Sequence, residues 1–379
     1  MRFLPALPAA ALAALLLAAG CSQEPSDVGI GALIPSDTLQ RFTREFQATA
    51  DTTFLARING AAGRLLQGTS GDLEARTMME FSGVAGFSSG TVIDSAFVRM
   101  AVEYRFGDST GEFDFTTYPM TKPWTSDQKV FNWDSAAVSY NSLTPAGSFL
   151  TTLNPSDTTI RFGIDTSVIR GWWQNSAGIG SIILVPGVST TAILGFSNTV
   201  TLLADSRPQL EIYFHDTTFV DTLVLRAARA MFVGNASPAV PAGEMVLQSG
   251  VVYRDRLRFD SLSLPPKASI TVATLRVTVD PANSIRNGST RDSLTVLLLR
   301  GATFPYDTVA LGTLLKPAGA NVYQGDVKDI VQQWVEKQAN VGFVLRSLTE
   351  QTTIDRWAIY GAGSAAFRPK LTVTYTVFP

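Results

Sequence analysis

The chain has 379 residues, of which 16% are charged and 45% are hydrophobic, and its formal net charge is −2. This near-neutral balance argues against a nucleic-acid partner, which calls for a concentrated basic surface. The single Cys excludes an internal disulfide framework and a Cys-based zinc cluster, and the single His removes the usual general base from most of the chain.

The first twenty residues have the composition of a signal peptide. Arg2 is followed by an uncharged Ala- and Leu-rich run that is short for a membrane span. The run ends in Leu17-Ala18-Ala19-Gly20-Cys21, which resembles the lipobox of bacterial lipoproteins. The resemblance implies cleavage of residues 1–20 and lipidation of Cys21. Ser22 in place of Asp implies an outer-membrane lipoprotein, on either the periplasmic or the cell-surface side of that membrane. The alternative is an ordinary signal peptide followed by an unmodified Cys.

The remaining chain divides into a tether and two copies of one module. Residues 21–40 mix Pro, Gly, Ser and acidic residues without a sustained period, as in a tether. Beyond them similar residues recur at one constant offset, which is hard to produce by chance. The matched pairs are Asp165 with Asp326, Ile169 with Ile330, Trp173 with Trp334, and Phe196 with Trp357. We therefore predict two domains, at residues 41–216 and 217–379.

Most of each module has the pattern of β-strands. Residues 96–106 and 273–279 alternate between apolar and more polar side chains, the period of a half-buried strand. Each run reaches a turn, and a second strand returns from near Glu112 and from near Asp292. Both pairs of strands are predicted to form β-hairpins.

One stretch in each module has helical spacing. Asp165 and Asp326 are typical N-cap residues, because a side-chain oxygen can accept from the free amides of a first turn. Val327, Ile330 and Trp334 follow Asp326 on one face of a helix. The pattern as a whole predicts an all-β chain of two tandem antiparallel β-sandwiches, each with one short α-helix.

The second copy resembles the DNRLRE domain family. The resemblance rests on Thr274-Leu-Arg-Val-Thr-Val, the helix from Asp326 to Trp334, Gly342-Phe-Val-Leu, and the closing Pro369-Lys-Leu-Thr-Val-Thr-Tyr375. The first copy adds a family-like stretch from Tyr118 to Trp133, which includes Trp124. The family implies jelly-roll-like sandwiches on secreted or surface proteins, with carbohydrate binding in some relatives and no shared catalytic residue.

Aromatic side chains are the best candidates for contacts with a sugar. Trp173 and Trp334 hold matched places on the helix face predicted to be buried, so we assign them to the core. Trp172 aligns with Gln333, a residue type that is seldom buried, and is therefore expected at the surface. Trp124 and Trp133 lie in a loop-rich segment, where they either pack under the connection or face a ligand. The candidate ligand-binding residues are Tyr118, Trp124, Trp133 and Trp172.

Other kinds of site have weaker support. Gly86-Phe-Ser88-Ser-Gly90 matches a hydrolase motif, but a strand is predicted after Ser88 where a helix is required, and His215 is the one available base. A glycosidase needs two opposed carboxylates, and most acidic residues lie in turns. A structural Ca²⁺ held by loop oxygens is left open, although there is no EF-hand-like spacing, and no other cofactor is expected.

These observations predict a non-catalytic outer-membrane or cell-surface lipoprotein, attached to the membrane through its lipid. Its β-sandwiches would bind glycan or another extracellular polymer. The alternative is a structural or adhesive surface lipoprotein with protein partners and no sugar ligand. A third interpretation is an accessory lipoprotein of an outer-membrane uptake system.

Overall fold

The computed structural model describes residues 40–377, apart from short stretches at 57–62, 85–86, 128, 175–178, 202, 237, 288–291, 304–305, 318 and 337–338. The predicted signal peptide and Cys21 lie outside the described residues. Strands hold 54% of the described residues and helices 8%, which confirms the prediction of an all-β fold. No helix in the described part of the chain is long and apolar enough to span a membrane.

Ten strands form one antiparallel sheet, here called sheet I. They are β3 (Leu65–Ser70), β4 (Leu73–Ser82), β5 (Val92–Gly107), β6 (Glu112–Pro119), β7 (Gly147–Thr152), β8 (Thr159–Ile164), β9 (Ile179–Pro186), β10 (Ala192–Phe196), β11 (Gln209–His215) and β12 (Val220–Asn235). Their order is β12-β11-β5-β10-β3-β4-β9-β6-β7, with β8 beside β5. The long strand β12 pairs with β4 as well as β11, so the order closes on itself.

Eleven strands form sheet II. They are β1 (Gln40–Gln47), β2 (Ala50–Leu55), β13 (Glu244–Gln248), β14 (Tyr253–Arg258), β15 (Ser269–Ile285), β16 (Ser293–Leu299), β17 (Thr308–Leu315), β18 (Val322–Asp326), β19 (Phe343–Ser347), β20 (Arg356–Tyr360) and β21 (Lys370–Val377). Their order is β1-β21-β15-β18-β17-β16-β19-β14-β13-β20, with β2 beside β14. Pairing of β15 with β20 closes the order, so sheet II is barrel-like.

The two predicted hairpins do not form. Strand β5 pairs with β8, β10 and β11, whereas β6 pairs with β7 and β9. In the second copy β15 pairs with β18, β20 and β21, whereas β16 pairs with β17 and β19. Alternating side chains show that a strand has one buried face, but they carry no information about which strand lies beside it.

The strand pairing also divides the chain differently from the predicted bounds 41–216 and 217–379. Strands β1 and β2 precede the first module, yet they pair with β21 and β14 in sheet II. Strand β12 follows Asp216 but pairs with β11 and β4 in sheet I. Each sheet therefore takes a segment from the predicted domain of the other, because contacts between distant segments decide where a strand finds a partner.

The predicted helices and their caps are confirmed. They are α2 (Thr166–Gln174) and α3 (Lys328–Glu336), and a further short helix, α1 (Trp133–Ala137), was not predicted. Asp165 Oδ1 accepts from the Ser167 amide at 2.8 Å, and Asp326 Oδ1 accepts from the Lys328 amide at 2.8 Å. The predicted core residues Phe196 and Trp357 are fully buried, each in the core of its own sheet.

A third apolar cluster joins the two sheets. Leu66, Tyr104 and Phe232 of sheet I pack in it with Val251 and Ile354 from the sheet II half. Polar bonds surround this cluster. The buried Arg356 guanidinium holds both carboxylate oxygens of Asp72, at 2.7 and 2.8 Å, and the Arg64 guanidinium donates to the Thr352 carbonyl at 2.9 Å. These contacts hold the sheets in one fixed arrangement.

A buried carboxyl lies where strand β2 joins sheet II. Asp255 on β14 is fully buried, and its Oδ1 accepts from the Thr53 hydroxyl at 2.5 Å. Its Oδ2 has no partner among the described residues. Burial is the main cause that raises the pKa of Asp255 to about 8, opposed by the bond from Thr53 and reinforced by the charge of Asp51.

This raised pKa predicts a pH-dependent stability. The folded chain binds the Asp255 proton more tightly than the unfolded chain, so this stabilisation is complete below the unfolded value of 3.8 and is lost as the pH rises to about 8. We expect the unfolding free energy of the wild type to fall across this window relative to that of Asp255→Asn. Urea unfolding at a series of pH values measures it, with the exposed Asp307→Asn as the control. Identical pH profiles for wild type and Asp255→Asn would contradict the prediction.

Candidate functional site

Three of the four candidate aromatic residues lie together on the outer face of sheet I. Tyr118 on β6, Trp124 in the following loop and Trp133 on α1 pack with Phe131 against β4, β9 and β12. Helix α1 begins where Asn132 Oδ1 accepts from the amides of Asp134 and Ser135, at 3.1 and 3.3 Å. This cap places Trp133 in the first turn, at one end of the aromatic cluster.

Trp124 is not available as a binding platform. It is 5% exposed, its ring lies 6.4 Å from that of Phe131, and the Arg229 guanidinium stands 4.8 Å from its ring centroid. Its indole N–H is buried without a partner among the described residues. Of the two predicted environments for Trp124, packing under the connection is therefore the observed one.

The prediction that Trp172 lies at the surface is wrong. Trp172 is 9% exposed, and its ring lies flat against Gly180, where a Cβ atom would be 1.8 Å from the indole. Its neighbour Trp173, assigned to the core, is only partly buried and packs edge-on against Phe87 at 5.4 Å. The buried face of α2 passes through Ile169 and Trp172, three residues apart. The corresponding pair on α3, Ile330 and Trp334, is four residues apart. Aligning the two helices residue by residue therefore predicted the wrong side of α2 for Trp172.

Trp133 lines a cleft between the two sheets, with a volume of about 240 Å³. Sheet I and α1 contribute Trp133, Asp134 and Asn235, and the segments of sheet II contribute Leu55 and Tyr253. The remaining lining residues are Ala56, Asn132, Val233, Gly234, Gly250 and Val251. Ligand sites in proteins form preferentially at such junctions between structural units.

The indole of Trp133 is held in place from one side. The Arg76 guanidinium lies 4.2 Å from its ring centroid and is itself held by Glu74, at 2.8 Å. Across the cleft, the Tyr253 hydroxyl donates to the Ala236 carbonyl at 3.2 Å, which fixes the second ring. Two immobilised aromatic side chains therefore stand beside the exposed polar side chains of Asp134 and Asn235.

The cleft offers the groups that sugar recognition requires. An aromatic face contacts the C–H surface of a sugar ring, a carboxylate accepts hydrogen bonds from hydroxyls, and an amide can both donate and accept. Sequence reasoning found Trp133 but missed Tyr253, Asn235 and Leu55. No local signal marks these three, because they come together only when β2, β12 and β14 meet.

Tyr118 lines a different and more open groove beside β7 and β8. Gly147 and Gly163 face each other there, since a Cβ on Gly147 would lie 2.4 Å from the Gly163 carbonyl oxygen. As at Trp133, a neighbouring group covers one face of each aromatic ring in this groove. The Arg161 guanidinium is 3.5 Å from the Phe97 ring centroid, and the Tyr118 ring packs at a tilt of 30° against that of Tyr140, with 4.8 Å between the centroids. The groove differs from the cleft in being more open and in being lined by sheet I and its connections alone.

The remaining candidate chemistry finds no assembled site. The Ser88 hydroxyl bonds to that of Thr91 at 3.1 Å, whereas His215 Nδ1 lies 2.7 Å from an Asp94 carboxylate oxygen. Strand β5 follows Ser88, as predicted. Within the described parts of residues 40–377, no group of three or more His, Cys, Asp or Glu side chains could hold a metal ion.

Comparison with known proteins does not assign a family. No protein-family model matches the chain, and no curated protein is similar to it. A likeness to the C-terminal domain of the Streptococcus agalactiae AgI/II polypeptide BspA covers 87% of this chain and 91% of that one, at 8% identity and a TM-score of 0.18. A likeness to the T=3 Penaeus vannamei nodavirus covers 92% of both chains, at 12% identity and a TM-score of 0.14. Neither TM-score supports a shared fold.

The different environments of the tryptophans predict different effects on stability. Replacing Trp172 by Ala leaves a cavity beside Gly180, so we expect the unfolding free energy to fall by about 3–5 kcal/mol. Trp133→Ala removes a partly exposed ring and should cost clearly less. Denaturant unfolding of both variants tests this. A Trp172→Ala variant within about 1 kcal/mol of the wild type would contradict the buried position.

Proposed function

We propose that this chain is a non-catalytic outer-membrane lipoprotein that binds the end of an extracellular glycan in the cleft between its two sheets. The observation that carries the proposal is the position of Trp133. It lines a cleft together with a second aromatic side chain, Tyr253, and the exposed polar side chains of Asp134 and Asn235. Trp124 and Trp172 are buried, and one face of the Tyr118 ring packs against Tyr140.

The size of the cleft argues for a chain end. Its volume of about 240 Å³ is below the roughly 300–1,000 Å³ of common small-molecule sites. A single terminal sugar is therefore a better fit than several consecutive residues of a polymer. The guanidinium of Arg76 occupies one face of the Trp133 indole, so the sugar would contact the side of the ring that lines the cleft.

The architecture in the proposal is a pair of jelly-roll-like modules of the DNRLRE type. The support is the repeated helix with its Asp cap, present once in each half, and the closing strands β11 and β21 at matched places. The resemblance is to a family in which no catalytic residue is shared, which fits a binding function better than an enzymatic one. A fold alone does not decide function, so the proposed glycan binding rests on the residues of the cleft.

A structural or adhesive surface lipoprotein is the second candidate. The observation that favours it is the junction, where an apolar cluster and the Arg356–Asp72 pair join the sheets in one arrangement. Such a rigid body suits a spacer that meets other proteins. Arginine also covers one face of several aromatic rings, including Phe97, Trp124 and Trp133, which reduces the aromatic surface left for a ligand.

Glycan binding predicts a loss that is specific to Trp133. The chain from Ser22 onward keeps every described strand, and we expect it to be retained by one member of a panel of immobilised polysaccharides. Trp133→Ala should weaken that affinity tenfold or more because the stacking contact is lost, whereas the matched control Trp173→Ala, at the other end of sheet I, should not. Titration calorimetry with short oligosaccharides of the retained polymer gives the affinities.

The outcomes separate the two candidate functions. Binding of short oligosaccharides with the same affinity as longer chains of that polymer would support recognition of a chain end. Retention that Trp133→Ala leaves unchanged would remove the cleft as the site. No retention across the panel, with all variants folded by circular dichroism, would favour the structural or adhesive function.

The lipid anchor gives a separate prediction. When the full-length chain is expressed in a bacterium supplied with radiolabelled palmitate, we expect label in the protein and its recovery with the outer membrane. Cys21→Ala should lose the label, because the thiol that carries the lipid is absent. A wild-type chain that is released in soluble form without label would contradict lipidation.

A further inference from the structure

Strand β1 leaves an open edge on sheet II. It occupies one end of the strand order and pairs with β21 over all eight of its residues, without a register shift. Seven of these eight residues are exposed, Phe46 being the exception. An exposed, regular strand presents a row of unpaired backbone N–H and C=O groups, which is a template for another strand.

Other strands at the margins of the sheets are covered. Strand β2 receives bonds from outside its own pairing, because the Val246 amide donates to the Thr53 hydroxyl and the Ala362 amide donates to Asp51. Strand β7 lies against β8, and the Asp165 amide beyond β8 donates to the Ala146 carbonyl before β7. Strand β1 has no such cover among the described residues. It contains no Pro and no bulge, two of the usual devices that block edge pairing, and its charged residues Arg41, Arg44 and Glu45 oppose pairing unless the second strand presents complementary charges.

The residues of β1 are complementary to a second copy of themselves. Opposed residues in an antiparallel pair both direct their backbone groups toward the partner strand or both away from it. Residues that direct these groups outward alternate along β1, so two opposed residues of a symmetric pair are an even number of positions apart. The twofold axis between two copies of β1 therefore passes through a residue and not between two residues. With the axis at Thr43, Arg41 stands opposite Glu45 twice, and Phe42 stands opposite Arg44 twice.

Neighbouring registers lose this match. An axis at Arg44 places two arginines directly opposite each other, which is destabilising. An axis at Phe42 leaves Arg41 opposite Thr43 and forms no pair of opposite charges within the strand. Only the register centred on Thr43 combines two ion pairs with two contacts between arginine and phenylalanine.

We propose that two copies of this protein associate through antiparallel pairing of β1 with β1, in the register centred on Thr43. The second copy continues sheet II across the axis. Glu45, which already accepts from the Lys370 ammonium at 2.8 Å, then lies between that lysine and Arg41 of the second copy. This association is independent of the glycan cleft, which is lined by none of the β1 residues.

Sedimentation equilibrium of the chain from Ser22 onward tests the association. The pairing of one strand makes a small interface, so the measurement covers about 10 µM to 1 mM. We expect a monomer–dimer equilibrium in this range. Arg41→Glu and Glu45→Arg, made separately, should each weaken dimerisation tenfold or more because like charges then oppose each other.

The double variant R41E/E45R is the decisive control. It exchanges the two charges and so restores both ion pairs between copies, although the contact of Glu45 with Lys370 stays lost. Recovery of the dimer supports pairing in this register. A wild-type chain that remains monomeric, single variants that dimerise normally, or a double variant that stays monomeric would overturn it.

A crosslink reads the register directly. The chain from Ser22 onward has no Cys, so Thr43→Cys introduces one thiol, which the proposed axis places opposite its own copy. A short bis-maleimide should join two Thr43→Cys chains, whereas Gln40→Cys chains, which keep both ion pairs and whose thiols are about six residues apart along the pair, should react much less. Equal crosslinking of both variants would contradict the register.

Discussion

Close packing of the two sheets through one shared apolar cluster is the contact on which the cleft depends. Trp133 belongs to a helix on the outside of sheet I, and Tyr253 belongs to a strand of sheet II. Neither sheet alone has a wall opposite its own aromatic residue. The cluster around Tyr104 and Ile354, with the buried Arg356 bound to Asp72, holds the walls at a fixed separation. A preorganised cleft avoids part of the ordering cost that binding would otherwise carry.

Arginine has a second structural role in this chain, as a cover for aromatic rings. Guanidinium groups lie over Phe97, Trp124, Trp133 and, in sheet II, over Trp357. The arginines over Trp124 and Trp133 are also paired with carboxylates, through Arg229 with Glu80 and Arg76 with Glu74. Each arginine then satisfies its charge and packs its planar group on the ring. The result is a rigid surface in which few aromatic faces remain for a ligand.

Local patterns predicted much of the fold and only one residue of the cleft. The spacing after Asp326 predicted α3, and the alternation in residues 96–106 predicted β5. The repeat also placed Phe196 and Trp357 correctly in the cores. It failed at Trp172, because the position of a ring depends on what lies beneath it. The absent side chain of Gly180 makes room for Trp172 in one copy, and that space cannot be seen in a comparison with Gln333.

The amino-acid sequence was sufficient to predict the all-β class, the two helices with their aspartate caps, and the buried positions that the repeat marks at Phe196 and Trp357. Alternation, capping and spacing are local patterns that extend over a few residues. Tertiary structure decided the strand partners, the return of β1 and β2 to sheet II, and the meeting of Trp133 with Tyr253. These contacts join segments that are far apart in the chain, from Gln40 beside Val377 to Arg356 beside Asp72. A strand edge is chemically similar along its whole length. The partner is therefore selected by the packing of the completed cores, which no short stretch of residues contains.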